Sequence, residues 1–198
     1  MDIINIVRRE VKRYTDDASQ SIAHRLDHFD RVVANALLIA QDYPAVDMES
    51  LHLAAMLHDV HHPFNDKKNH VRLSIARATQ ILKEAEYPSD KGDFVLKIIY
   101  EHSTEHIDEV KPTSIEAMIL FDADKVDGVG ASGIGRLLSL FGQLGKTPLE
   151  SIDWYRMKIS KAVNNLQTAK GRQMFQEGLI WVDGFLDRLR AENANVRL

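Results

Sequence analysis

The chain has 198 residues, no cysteine, 44% hydrophobic and 27% charged residues, and a formal net charge of −4. That is an ordinary balance for one soluble globular domain spanning 1–198, and it excludes disulfides and thiolate metal ligands. The acidic balance argues against a broad nucleic-acid footprint, and apolar runs such as "AMILF" are far too short to span a bilayer.

Apolar periodicity predicts helices throughout and no strands. Residues 2–17 begin with "MDIINIVRREVKRY", which lacks a long apolar stretch or a small-residue cleavage site. No signal peptide is expected, and a cytoplasmic location fits the lack of cysteine. The same segment spaces Ile3, Ile6, Val7 and Val11 roughly helically. Residues 27–42 carry Phe29, Val32, Val33, Ala36, Leu37 and Ala40 on one stripe, with Pro44 just beyond. Residues 48–60 align Leu51, Ala54, Ala55 and His58, and residues 69–86 align Val71, Ile75, Ala78, Ile81 and Leu82. Pro88 suits the start of a helix reaching about Ser103, and "TSIE" at 113–116 is a capping-box pattern for the next. Gly128, Gly130, Gly133 and Gly135 punctuate the region that follows, and Gly142 and Gly145 flank the loop "GQLGKTP". Two helices, about 151–170 and 172–192, close the chain. The expected fold is all-α, an irregular helical bundle.

Three polar clusters interrupt this pattern. "LHLAAMLHDVHHP", residues 51–63, holds four histidines and one aspartate. His58 follows Leu51 by seven positions and Ala54 by four, so it lies on the stripe that should be buried, with Asp59 beside it. A buried carboxylate needs a cation or strong donors. A divalent metal satisfies both residues, and a solvated helix end accounts for them as well. The second cluster, "AHRLDHFDRVV", puts His24, His28 and Arg31 on one helical face. Taken singly, an inert, hydrogen-bonded His28 is the better reading. The third, "LFDADKVDG", places Asp122, Asp124 and Asp127 at the end of an apolar helix. Asp124 follows Leu120 by four and Ala117 by seven, while Asp122 follows Met118 by four and Ile115 by seven. Periodicity does not choose between them, and an acidic helix end paired with Lys125 or Arg136 is the bland alternative. His102, in "IIYEHS", follows an Ile-Ile pair.

In this order, "LDHFDRV", "AAMLHDV", "IIYEHS", "ILFDADKVDGVGASGIGR" and "TAKGRQMFQEGLIWVDGFLDRL" resemble small bacterial HD-domain phosphohydrolases over nearly the whole chain. The resemblance implies an HD-type helical bundle and a metal held by His28, His58, Asp59 and Asp124, with Asp122 as the fallback for the last. One metal is favoured, with His70 or His102 as candidates for holding a second. Close relatives often carry His-Asp where this chain has His24–Arg25, so Arg25 is expected to add positive charge beside the site.

Two imidazoles and two carboxylates leave open positions on a six-coordinate divalent ion. The mixed set suits Mn, Fe, Co, Ni or Zn, with Mg also admitted. The expected activity is hydrolysis of a phosphoester or phosphoanhydride bond in a small phosphorylated substrate by attack of metal-bound water. A nucleotide is the favoured class, and the resemblance tilts the reaction toward pyrophosphohydrolysis of nucleoside triphosphates. Asp59, Arg31, Lys125 and His61 are the candidate catalytic residues. His24, Arg31, His62, His102 and Lys125 are the candidate substrate contacts. Asp66 joins His61 and His102 as an unranked acid or base. "HHPFNDKKNH", with Lys67 and Lys68, reads as a loop at the site's mouth. The alternative is a catalytically inactive HD-fold nucleotide-binding or regulatory module. Trp154, Tyr155 and Trp181 read most simply as core aromatics, which leaves the oligomeric state open.

Overall fold

The computed structural model describes residues 2–64, 66–103 and 110–194. Among them the α-helices are α1 (Ile3–Thr15), α2 (Leu26–Ala40), α3 (Met48–Leu57), α4 (His70–Glu84), α5 (Ser89–Tyr100), α6 (Ile115–Asp127), α7 (Gly130–Gln143), α8 (Pro148–Val163) and α9 (Ala169–Asn193). Single 3-10 turns span Ile22–His24 and Lys67–Asn69. No named strand occurs among the described residues; Gln20 and Pro63 form one isolated bridge. The observed fold is therefore the all-α bundle expected. No helix among the described residues is long and apolar enough to cross a membrane.

Local chemistry sets the helix starts. Asp2, Asp47, Ser114 and Thr168 each accept a hydrogen bond from a backbone N–H in the first turn of the helix they precede. Thr147 and Glu150 form a reciprocal capping box with Pro148 at the first helical position, so α8 begins three residues before the expected 151. The break between α8 and α9 falls at residues 164–168 rather than 170–172. Asp122 of α6 sets it: its carboxylate accepts the backbone N–H groups of Gln167 and Thr168 and the Thr168 hydroxyl, at 2.6–2.8 Å. The region read as glycine punctuation is instead the helix α7. Gly133 sits inside it because a Cβ there would stand 2.4 Å from the Gly128 backbone.

Two apolar clusters organise the molecule. The first is built on α1 to α6, with Phe29, Ile39, Leu51, Met56, Ile98 and Leu120 fully buried. The second joins α7, α8 and α9 through Phe141, Ile152, Tyr155, Phe175 and Val182. Helix α2 packs on both α3 and α6, and α6 also meets α9. This arrangement brings the start of α2, the end of α3 and the end of α6 to one place.

Candidate metal centre and substrate cleft

Helix α3 stops at Leu57, before the expected 60, and His58 is its C-cap with helical backbone angles. The His58 ring turns back so that Nδ1 donates to the Ala55 carbonyl at 2.9 Å. A carbonyl only accepts, so Nδ1 carries the proton and Nε2 is the free acceptor face. His28, in the first turn of α2, is fixed the same way: its Nδ1 donates to Asp127 Oδ2 at 2.8 Å. The two Nε2 atoms meet 3.2 Å apart. Asp124 Oδ1 lies 3.9 Å from His28 Nε2 and 3.7 Å from His58 Nε2. Asp59 Oδ2 lies 3.7 Å from His58 Nε2, and Asp59 Oδ1 is buried with no hydrogen-bond partner.

The set fits a divalent cation. Acceptor atoms of two imidazoles and two carboxylates face one another, and an orphaned carboxylate oxygen stands among them. The ligand atoms of His28, His58 and Asp124, and those of His24, His28 and Asp59, lie within 4.8 Å of one another. Burial, together with Arg136, pushes His28 down to about 4 against the pull of Asp127, so its imidazole is neutral near pH 7. Burial also lowers His58, but the Asp59 and Asp124 carboxylates outweigh it and raise its pKa. For Asp59, burial opposes ionisation, yet His58, His102 and His70 hold the carboxyl well below its usual range. For Asp124, Lys125 and His58 overcome the same penalty in the same direction.

More histidines surround Asp59. His102 Nδ1 donates to the Ile99 carbonyl at 2.5 Å, and its Nε2 stands 3.5 Å from Asp59 Oδ1. His70 opens α4 with Nε2 3.8 Å from the same oxygen. His24 Nε2 lies 3.4 Å from Asp59 Oδ2, and its ring stacks on His62 with centroids 3.9 Å apart. Burial and then His62 hold His24 well below its usual pKa, against the attraction of Asp59. Lys125 Nζ donates to Asp124 Oδ2 at 2.5 Å and to the His102 carbonyl.

These groups form the polar end of a cavity of about 200 Å³, lined by His24, Asp59, His62, His70, His102, Asp124 and Lys125. Its other end is walled by α7, α8 and α9. The structure thus brings together His24, His28, His58, Asp59, His62, His102, Asp124 and Lys125. It does not bring Arg31, His61 or Arg25 to the cleft lining. The Arg31 guanidinium pairs with Asp127 at 2.5 Å and Asp27 at 2.7 Å, behind His28. The main chain of His61 is tied to Ser74, and its ring lies outside the cleft lining. Arg25 donates instead to the Thr15 carbonyl. Asp122 is spent on α9, away from the histidines. In "HHPFNDKKNH", Lys68 is exposed, and Asn65 and the Lys67 side chain lie outside the described residues.

Asp127 is the residue for which the sequence offered only the bland reading, an acidic helix end paired with Arg136, and that pair is present. It accepts from His28 at 2.8 Å, from Arg31 at 2.5 Å and from Arg136 at 2.5 Å while nearly fully buried. Its one signal was spacing: it follows Asp124 by three, on the same face of α6.

The family model for the HD domain matches residues 25–128. No curated protein matches the chain. A Lactobacillus plantarum protein of known structure is 20% identical, with a TM-score of 0.77 over 96% of each chain. Bacillus subtilis YpgQ, solved in complex with ADP, is 22% identical with a TM-score of 0.73, covering 98% of this chain and 100% of its own. A predicted HD superfamily hydrolase from an uncultured Thermotogales bacterium is 28% identical with a TM-score of 0.61, covering 96% of this chain and 90% of its own. The matched span contains the adjacent His-Asp pair, His28 and Asp124, and the chain belongs to the HD domain family.

Proposed function

We propose that the chain is a metal-dependent phosphohydrolase acting on a small phosphorylated substrate, with a nucleotide as the favoured class. The observation that carries this reading is the buried convergence of His28, His58, Asp59 and Asp124 at the polar end of a cleft that also presents Lys125. When bound there, a divalent ion of the Mn, Fe, Co, Ni, Zn or Mg kind supplies Lewis acidity and a water of lowered pKa.

The chain's own residues supply the rest. His28 and His58 present Nε2 because Asp127 and the Ala55 carbonyl hold Nδ1. The Asp59 and Asp124 carboxylates balance a divalent charge. Lys125, anchored beside Asp124, is placed to meet a phosphoryl oxygen. His24 and His102, neutral and facing Asp59, are placed to take or return a proton at Nε2. Arg31 acts from behind, through Asp127, rather than on substrate. The ADP bound to the Bacillus subtilis relative supports a nucleotide.

The test is phosphate and pyrophosphate release from a panel of nucleoside mono-, di- and triphosphates with Mn added, beside an Asp59→Ala control. The reading predicts release that the control abolishes. Metal binding with no turnover of any nucleotide would favour a binding or regulatory module.

A further inference from the structure

The two ends of the cleft differ in chemistry, and the hydrolysis proposed above accounts for one of them. The polar end comes from residues within or beside the matched 25–128 span. The far wall comes from α7, α8 and α9, beyond that span: Leu137, Leu140, Trp154, Lys158, Ile159 and Phe175. Arg136 and Lys158 apart, this wall is apolar and aromatic, and a bare phosphate or polyphosphate leaves that surface unused. Apolar and aromatic surface facing a phosphoryl site suits a substrate whose other half is an organic group.

The wall is held in place. The buried Tyr155 donates its hydroxyl to the Gly128 carbonyl at 2.7 Å, fastening α8 to the junction of α6 and α7. Its neighbour Trp154 is half-buried, with Phe141 tilted against it at 5.5 Å between centroids. Lys158, one turn later on α8, holds its ammonium over one face of the Trp154 ring, 5.5 Å from the ring centre. An indole offers a flat stacking surface of low conformational cost, and a nearby ammonium donates to acceptors on a ring edge.

We propose that Trp154 and Lys158 form the subsite for the organic group of the substrate. That group is a flat, nitrogen-containing ring with acceptor atoms on its edge, of which a nucleobase is the model. Trp154 stacks on the ring and Lys158 donates to its edge. Selectivity then resides in the C-terminal helices, while the metal ligands reside on α2, α3 and α6. The inference rests on the reading that the His/Asp end receives the phosphoryl group.

The chain has two tryptophans, and Trp181 is 69% exposed on α9 and does not line the cleft. Trp181→Phe therefore leaves Trp154 as the sole indole reporter without altering the site. This variant is titrated with AMP, ribose 5-phosphate and inorganic phosphate, with Zn present throughout. The expected result is saturable quenching of Trp154 by AMP, at a concentration roughly ten-fold below that needed for ribose 5-phosphate to bind, as base stacking on an aromatic side chain provides. Equal affinity for AMP and ribose 5-phosphate, or AMP binding that leaves Trp154 emission unchanged, overturns the subsite. Trp154→Ala is expected to raise the KM for a nucleotide more than that for ribose 5-phosphate; an equal rise in both overturns it. Failure of the hydrolase reading shows separately, as absence of phosphate release while the AMP-selective quenching persists.

Discussion

Three aspartates within six residues of α6 face three different partners. Asp122 tethers the start of α9, Asp124 faces the paired histidines, and Asp127 holds His28 from behind. Removing each has a distinct consequence. Asp127→Ala frees the His28 ring and its tautomer, so divalent-metal affinity should fall about 10- to 100-fold by calorimetric titration. An unchanged affinity would show that His28 needs no such support. Asp122→Ala strips the partner from buried donors of α9 and should cost on the order of 1–3 kcal/mol in urea unfolding, with metal affinity retained. Loss of metal from that variant would return Asp122 to the ligand set. Periodicity placed both Asp122 and Asp124 on semi-buried faces and went no further, and only the family resemblance favoured Asp124. What separates them is the tertiary neighbour, a helix start in one case and an imidazole pair in the other, and no spacing within α6 records that.

At the scale of the elements, the start of α6 was legible to within a residue, but its capping pair was not. "TSIE" points to Thr113 with Glu116, whereas Ser114 caps the helix, Thr113 donates to Glu101, and Glu116 accepts the Asp47 backbone N–H. The glycines after Asp127 were not legible either. Gly133 and Gly171 serve close approach rather than turning, and composition alone does not distinguish the two uses. A Cβ at Gly171 would lie 2.3 Å from Asp122 Oδ2, whereas a Cβ at Gly135 meets nothing within 4 Å. Gly171→Ala should therefore destabilise by roughly 1–3 kcal/mol through overpacking. Gly135→Ala, inside α7, should be neutral or stabilise by about 0.5–1 kcal/mol. Paired thermal melts check both signs. A mild effect at Gly171 would mean that α6 and α9 separate easily. The end of α3 was misjudged for a related reason. His58 satisfies its Nδ1 on the last turn, and the chain then leaves helical geometry to carry Asp59 into the site.

For the whole molecule, the class of fold and the order of the His and Asp residues could be read from the sequence. The cleft's far wall could not, because Trp154 and its neighbours on α8 carry the spacing of ordinary core residues. An ion bound at the cleft's polar end links α2, the end of α3 and α6, three helices of the first apolar cluster. Such an ion binds the folded chain alone and stabilises it by mass action, about 2.7 kcal/mol at one hundred times its dissociation constant. Adding Mn to EDTA-treated protein should raise the melting temperature in a concentration-dependent way, and the same addition to His58→Ala should not. An equal rise in both would place the ion elsewhere.

The most direct test of the account is anomalous diffraction from crystals grown with Mn. The account predicts one strong peak within bonding distance of His28 Nε2, His58 Nε2 and carboxylate oxygens of Asp59 and Asp124. A peak ligated by Asp122, or no peak among these four side chains in crystals that carry Mn elsewhere, would contradict it.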